Sequence, residues 1–150
     1  MRAMVLDQPG RPLRLADIPE PEPGPGEVKL AVRTCGVCRT DLHIYDSELQ
    51  GEPKLPLVMG HQIVGEVVGM GERAGRFELG DRVGVPWLYS ACGHCEHCLG
   101  GWETLCEQQQ NTGYSVNGGF AQYTKANANY VGLLPSNIDF IEVAPVLCAG

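Results

Sequence analysis

Four cysteines close together constrain this chain more than any other feature of its sequence. They follow the pattern Cys92-x2-Cys95-x2-Cys98-x7-Cys106. Zinc binds four ligands in a tetrahedron, and closely spaced thiolates in a short loop suit that arrangement. The surrounding segment has few apolar side chains, so a bound metal would supply the order that packing cannot. We therefore predict a structural zinc site in an inserted lobe at about residues 86–112.

Two disulfides are the alternative use of these thiols. The chain has seven cysteines, so a framework made only of disulfides would leave one thiol over. Disulfides are rare in reducing compartments. Asp7 places an acid too early for the apolar part of a secretion signal, so we expect a cytoplasmic protein. His94 and His97 lie between the cysteines and are expected to be exposed, since the four-cysteine set is complete without them.

Composition narrows the fold class and the partners. The 150 residues include 20 glycines and 11 prolines, which predicts many turns and short strands rather than long helices. The net charge of −7 argues against a nucleic-acid partner and against binding to anionic membranes. No apolar run is long enough for a transmembrane helix. The sequence therefore favours one mainly β domain without a nucleic-acid or membrane partner.

The apolar pattern predicts where strands and helices lie. We expect strands at residues 1–7, 12–18, 27–34, 63–68, 81–85, 120–124 and 130–134. Residues 19–26, in which proline recurs, are expected to form an extended linker, because each proline fixes φ and removes a donor. Helices are expected at residues 39–45 and 139–147, with Asp139 near the N-cap of the second.

One glycine motif resembles a dinucleotide-binding turn. Residues 69–74 read GMGERA, which fits the G-x-G-x-x-A pattern after a strand. That motif needs a helix whose N-terminus holds the pyrophosphate. Gly75, Gly80 and another predicted strand follow instead, so we interpret the segment as a turn between two strands.

A second metal site is possible among the remaining ligand types. A catalytic zinc commonly has three protein ligands and one open position. Spacing alone does not select three ligands from the five available, and a lone histidine after a glycine is more often a hydrogen-bonded core or turn residue. The five candidates are Cys35, Cys38, Cys148, His43 and His61.

Four segments, in this order, resemble the zinc-dependent medium-chain alcohol dehydrogenases. They are GVCRTDLH at residues 36–43, Gly60-His61, the cysteine lobe, and APVLCAG at residues 144–150. The four-cysteine spacing and the interval from His61 to Cys148 match the microbial, tetrameric type. The resemblance extends over residues 1–150. It implies a GroES-like, partly open β-barrel with short helices and an inserted structural-zinc lobe.

The resemblance also assigns roles by position. It makes Cys38, His61 and Cys148 the ligands of a catalytic zinc, so that each chain would bind two zinc ions. Cys35 falls outside this set and is expected to be a buried small hydrophobe. Asp41 matches a carboxylate that orients the ligand histidine.

Five further positions match the reaction machinery of the family. Thr40 and His43 match its proton relay, and the ordinary pKa of histidine suits proton transfer near neutral pH. Arg39 matches the residue that contacts the cofactor pyrophosphate. Leu49 and Trp87 fall at positions that line the substrate pocket. The implied reaction is oxidation of alcohols to aldehydes or ketones, and its reverse, with NAD or NADP.

One residue departs from the family pattern. Gln62 stands where the family has a glutamate after the ligand histidine, which leaves the ligand set intact but puts ligand exchange at the metal in doubt. We favour the interpretation that this substitution is tolerated. In the family a Rossmann cofactor domain follows, so we expect one after residue 150, in a homo-oligomer that is a tetramer or a dimer.

The sequence leaves two alternatives to an alcohol dehydrogenase domain. The first alternative is a zinc-binding module that is not an enzyme. Thr40 and His43 favour the enzyme, because a module that only binds metal needs no proton relay. Within the superfamily, polyol or threonine dehydrogenases are a further alternative, and they resemble the chain less at Trp87 and around Cys148.

Overall fold

Short strands and a few short helices make up the computed structural model, which describes residues 1–149. Gly150, the last residue of the APVLCAG segment, lies outside the described residues. The strands are β1 (Arg2–Leu6), β2 (Arg14–Asp17), β3 (Glu27–Gly36), β4 (Leu57–Val58), β5 (Gln62–Met70), β6 (Arg82–Val85), β7 (Leu88–Ser90), β8 (Gln110–Asn111), β9 (Tyr123–Asn127) and β10 (Gly132–Leu133). The helices are α1 (Arg39–Tyr45), α2 (Glu96–Leu99), α3 (Phe140–Val143) and α4 (Val146–Ala149), with a 3₁₀ turn at Glu103–Leu105.

The strands form open sheets in which every pair of neighbours is antiparallel. The largest sheet has the order β10-β6-β5-β3-β9, a second has the order β2-β1-β4, and β7 pairs with β8. The prediction of a mainly β fold with short helices is confirmed, and the sheets stay open rather than closing into a barrel. Within residues 1–149, no helix has the length and apolar character needed to cross a membrane.

The main core lies on one face of the five-stranded sheet. Val28 and Leu30 of β3 are fully buried, as are Ile63 of β5 and Val83 of β6. Residues two apart on a strand point to the same face, which explains how β3 contributes two core side chains. Burial of each such side chain stabilises the fold by about 1.5–3 kcal/mol. The core therefore fixes β3 and β5 relative to each other.

This strand pair also brings two distant parts of the chain together. Gly36 at the end of β3 pairs with Gln62 at the start of β5. Cys38 lies two residues after that pair, and His61 lies immediately before it. Because the strands are antiparallel, both residues emerge at the same end of the sheet.

The strand that was predicted at residues 120–124 begins later in the structure. β9 runs from Tyr123 to Asn127 beside β3. Before it, the Phe120 carbonyl accepts a hydrogen bond from Met4 N, and Ala121 forms an isolated bridge with Ala3. The segment thus changes its partner from β1 to β3, which sequence periodicity does not reveal. The strand predicted at residues 130–134 is likewise shorter and covers only β10.

The helix that was predicted at residues 139–147 is two short helices, so the prediction of one continuous helix was wrong. Asp139 is the N-cap of α3, as expected, and its Oδ1 accepts hydrogen bonds from Ile141 N (2.7 Å) and Glu142 N (3.2 Å). α3 ends before Pro145, which has no N–H to continue the helical hydrogen bonds. The chain then restarts as α4, which carries Cys148.

The glycine motif at residues 69–74 is a turn, as predicted. β5 ends at Met70, and only turns and irregular segments separate it from β6 among the described residues. A Cβ at Gly71 would lie 1.8 Å from the Gly24 carbonyl oxygen, so the close approach of these two loops requires glycine. The motif therefore has a packing role in this fold.

Candidate metal centres

The four cysteines of the lobe converge in space. Their sulfur atoms all lie within 4.8 Å of one another. The Sγ atoms of Cys92 and Cys98 are 3.9 Å apart. A tetrahedral zinc with bonds of about 2.3 Å to sulfur places its ligands about 3.8 Å from each other. The lobe therefore has the ligand types and the spacing that a zinc ion needs.

Backbone N–H groups in the lobe point at these sulfurs. Cys95 N donates to Cys92 Sγ (3.4 Å), and Cys92 N donates to Cys106 Sγ (3.4 Å). The N–H groups of His94 and Cys95 lower the pKa of the Cys92 thiol to about 6. These contacts favour the thiolate, which is the form that binds metal.

The two histidines of the lobe lie outside this cluster. His94 is exposed, as expected, and its Nδ1 lies 2.9 Å from the Cys92 carbonyl oxygen. His97 was expected to be exposed but is partly buried, with a side-chain exposure of 39 %. Its carbonyl accepts a hydrogen bond from Trp102 N, which folds the chain back over the end of α2.

Cys38, His61 and Cys148 form a second cluster. Their ligand atoms lie within 4.8 Å of one another, and the two sulfurs are 3.8 Å apart. Cys38 caps the N-terminus of α1, His61 precedes β5, and Cys148 lies in α4. Cys35, His43 and the lobe histidines are not part of this cluster.

His61 shows why a metal fits here. Its side chain is fully buried, and neither ring nitrogen has a hydrogen-bond partner among the described residues. Leaving a buried polar group unsatisfied costs about 1–3 kcal/mol. Burial lowers the pKa of the imidazole, while the Asp41 carboxylate opposes that shift. The ring is thus neutral, and a neutral imidazole flanked by two thiols is a donor set that suits zinc.

Asp41 connects two of the ligand-bearing segments. Its carboxyl group is buried, with Oδ2 accepting from Cys38 N (2.8 Å) and Oδ1 accepting from Gly60 N (3.2 Å). Oδ1 lies 3.8 Å from His61 Nδ1, which is too far for a hydrogen bond. Asp41 therefore acts on His61 through the backbone of the preceding residue rather than by a direct bond.

We expect Asp41→Asn to lower the zinc affinity of this cluster about 10- to 100-fold, the usual effect of removing a group that supports metal ligands. Asparagine replaces one of the two carboxylate oxygens by an NH₂ group. That group is a donor, so it cannot accept the hydrogen bond from the backbone N–H that it faces. Chelator competition on the whole enzyme would measure the change. Asp46→Asn, at an exposed acid that follows the same helix, is the matched control. Equal affinities for both variants would contradict this role.

The predicted relay residues lie on α1, beside the cluster. Thr40 Oγ1 is 3.7 Å from Cys38 Sγ. Burial opposes ionisation of Cys38, but hydrogen bonds from Thr40 outweigh it and lower the pKa of the thiol. His43 follows three residues after Thr40, so both share one face of the helix. Arg39 is exposed at the first residue of α1, where a phosphate could reach it.

Leu49 and Trp87 lie in one apolar cluster but in different surroundings. Leu49 lines a cavity of about 430 Å³ together with His43 and Tyr114, and Trp87 is not among the lining residues. The Trp87 ring packs edge-on against His61, with centroids 5.0 Å apart. Both residues contact a buried cluster formed by Leu6, Ile44, Leu57 and Met59. Trp87 thus borders the metal ligands, whereas Leu49 borders the adjoining cavity.

Gln62 and Cys35 lie on β5 and β3, next to the segments that carry the ligands Cys38 and His61. Gln62 is buried, and a Cβ at Gly36 would lie 2.1 Å from its Oε1, so a larger residue at position 36 would force the Gln62 side chain to move. Cys35 is half-buried and packs against the main core. Burial raises the pKa of its thiol to about 12, with the Asp41 charge adding to the shift. Cys35 therefore behaves as a small apolar residue, although it is partly buried rather than buried as expected.

Comparison with known proteins agrees with this arrangement. Residues 24–136 match the family described as the alcohol dehydrogenase GroES-like domain. An alcohol dehydrogenase from Moraxella sp. (strain TAE123) is 55 % identical over 150 residues, which are 100 % of this chain and 44 % of that protein. The chain thus spans less than half the length of this curated relative.

Solved structures show the same fold. An NAD-dependent alcohol dehydrogenase superposes with a TM-score of 0.89 at 31 % identity, covering 98 % of this chain and 43 % of that one. The protein named CAD from Helicobacter pylori, solved with NADP(H), gives a TM-score of 0.89 at 26 % identity, covering 99 % and 45 %. The chain therefore belongs to the zinc-type medium-chain alcohol dehydrogenase family and corresponds to its GroES-like domain.

Proposed function

We propose that this chain is the catalytic domain of a zinc-dependent alcohol dehydrogenase. The whole enzyme would oxidise primary or secondary alcohols to aldehydes or ketones, and reverse that reaction, with NAD or NADP. The observation that carries the proposal is the cluster of Cys38, His61 and Cys148, in which the buried His61 ring has no hydrogen-bond partner within residues 1–149. Membership of the family supplies the reaction class.

The residues of the site have separate tasks in this proposal. Cys38, His61 and Cys148 would hold one zinc ion, and the four lobe cysteines would hold a second. When bound at the first site, zinc supplies a Lewis acid that polarises the oxygen of the alcohol. The Thr40 hydroxyl accepts the proton that the alcohol releases and passes its own proton to His43. His43 is partly exposed, so it returns the proton to water.

The remaining assignments concern the cofactor and the substrate. Arg39 would contact the cofactor pyrophosphate, and Leu49 and Trp87 would bound the substrate pocket. We place the rest of the dinucleotide site in a Rossmann domain, as the family resemblance implies, and this chain spans only 44 % of the Moraxella relative. We further propose a homo-oligomer in the cytoplasm, a tetramer or a dimer, with no nucleic-acid or membrane partner.

An assay of the purified whole enzyme tests this function. Reduction of NAD or NADP with propanol should stop after chelation and return when zinc is added back. Residues 1–150 expressed alone should show no turnover, because hydride transfer needs the nicotinamide carbon within roughly 3–3.5 Å of the reacting carbon. One exposed arginine contributes little affinity for a dinucleotide. Turnover by residues 1–150, or full activity without zinc, would refute the proposal.

Substrate size gives a separate prediction. Leu49 is smaller than the tryptophan of some microbial relatives, and it lines a cavity of about 430 Å³. We therefore expect the enzyme to oxidise alcohols longer than ethanol, including benzyl alcohol, and Leu49→Trp to lower kcat/KM for benzyl alcohol more than for ethanol. Leu42→Trp, at an exposed leucine on α1, is the control for an added ring. A steady fall in kcat/KM from ethanol upward in the unmodified enzyme would contradict this prediction.

A further inference from the structure

The C-terminus of α1 turns the chain back on itself. Ser47 N donates to the Ile44 carbonyl (3.2 Å), and Glu48 N donates to the His43 carbonyl (2.9 Å). These two bonds define a Schellman motif, in which the residue after the C-cap adopts a left-handed conformation. Ser47 is this residue, and its φ is 59°. Residues other than glycine rarely adopt this conformation, because their Cβ atom crowds the backbone. The strained turn places the next residue, Glu48, beside His43.

The side chain of Glu48 contacts the imidazole directly. Glu48 Oε2 is hydrogen-bonded to His43 Nδ1. An ionised carboxylate can only accept, so the hydrogen of this bond belongs to Nδ1. Both side chains are partly exposed, at 34 % for His43 and 52 % for Glu48. The neutral ring then has its lone pair on Nε2.

We propose that Glu48 is a positioning residue for the proton relay, which holds His43 in the Nδ1–H tautomer and leaves Nε2 as the atom that accepts the proton. The inference rests on the proposed function, since it assumes that His43 is the end of the relay. The hydrogen bond at one ring nitrogen decides which tautomer a histidine adopts. In the opposite tautomer Nε2 already carries a hydrogen and cannot accept the proton released by Thr40.

The other charged groups near His43 do not offer the same contact. Glu52 lines the same cavity as His43, and Arg39 lies one helical turn earlier on α1. Within residues 1–149, neither makes a hydrogen bond to the His43 ring. Glu48 is thus the carboxylate that sets the tautomer. The left-handed conformation of Ser47 is energetically unfavourable, and such conformations occur mainly at functional sites, which is consistent with a role in placing Glu48.

Kinetics of the whole enzyme test the positioning role. Glu48→Ala should lower kcat for alcohol oxidation about three- to tenfold, the usual net value of a single hydrogen bond, with KM and zinc content unchanged. Glu48→Gln retains an oxygen that can accept from Nδ1 and should recover most of kcat. Asp46→Ala removes an exposed acid two residues earlier and should leave kcat unchanged. Equal kcat for Glu48→Ala and the unmodified enzyme would overturn the proposal.

A double-mutant cycle and a direct view of the hydrogen complete the test. In a His43→Gln background, Glu48→Ala should cause no further loss, because the two residues act as one unit. Fully additive losses would overturn the proposal. Neutron diffraction from deuterated crystals of the whole enzyme should show deuterium on His43 Nδ1, and a neutral ring with deuterium only on Nε2 would contradict it. This readout needs no turnover, so it separates failure of the inference from failure of the proposed function.

Discussion

Replacement of Thr40 by valine is expected to lower kcat about 10²- to 10⁴-fold while the enzyme retains its zinc. Valine has nearly the shape of threonine but no hydroxyl, so it fills the same space beside Cys38 Sγ without passing a proton. Losses of this size are typical when a group that transfers a proton in the transition state is removed. Steady-state oxidation of propanol, together with metal analysis of the same sample, would measure both quantities.

Two comparisons make this result specific to the hydroxyl. Thr40→Ser restores the hydroxyl and should restore most of kcat. His43→Gln should lose less than Thr40→Val, because His43 is partly exposed and water can take over its role near the surface. Equal and negligible losses for Thr40→Val and His43→Gln would show that the proton leaves the site by another route.

Replacement of Cys95 by serine is expected to remove one zinc ion and unfold the lobe. Within residues 86–112 the buried residues are few, namely Tyr89, Cys106 and Thr112, so packing alone cannot hold this segment. Structural zinc contributes an apparent free energy of about 10–16 kcal/mol in small zinc-dependent domains. Metal content would fall from two ions to one, and limited proteolysis would cut within residues 86–112.

The matched control is the cysteine that belongs to neither cluster. Cys35→Ala changes another thiol but no proposed ligand, so both zinc ions and the protease resistance of the lobe should persist. A Cys95→Ser protein with two zinc ions, or with a lobe that resists proteolysis as before, would show that the lobe folds without its metal.

The two metal sites differ in how far a sequence alone predicts them. The lobe ligands lie within one short loop, so their short separations in the sequence already indicate that the four thiols are close in space. The ligands Cys38, His61 and Cys148 become neighbours only because β3 pairs with β5 and because α4 packs near that end of the sheet. Residue types and spacing give five candidate ligands for this site, and only the resemblance to a family selects three of them.

Other features depend on contacts that a single sequence does not display. Glu48 carries no motif, because its approach to His43 depends on the left-handed Ser47 at the end of α1. The start of β9 depends on where the chain changes its partner from β1 to β3. The break between α3 and α4, by contrast, has a visible cause in Pro145, which should have ended the predicted helix.

Zinc analysis of the purified whole enzyme, combined with titration of its free thiols, tests the central claim most directly. We expect two zinc ions per chain under reducing conditions. We also expect Cys38→Ser to have one zinc ion, a folded lobe and no alcohol oxidation. A value near one zinc ion per chain in the unmodified enzyme, with reactive thiols at Cys38 and Cys148, would contradict the catalytic zinc site.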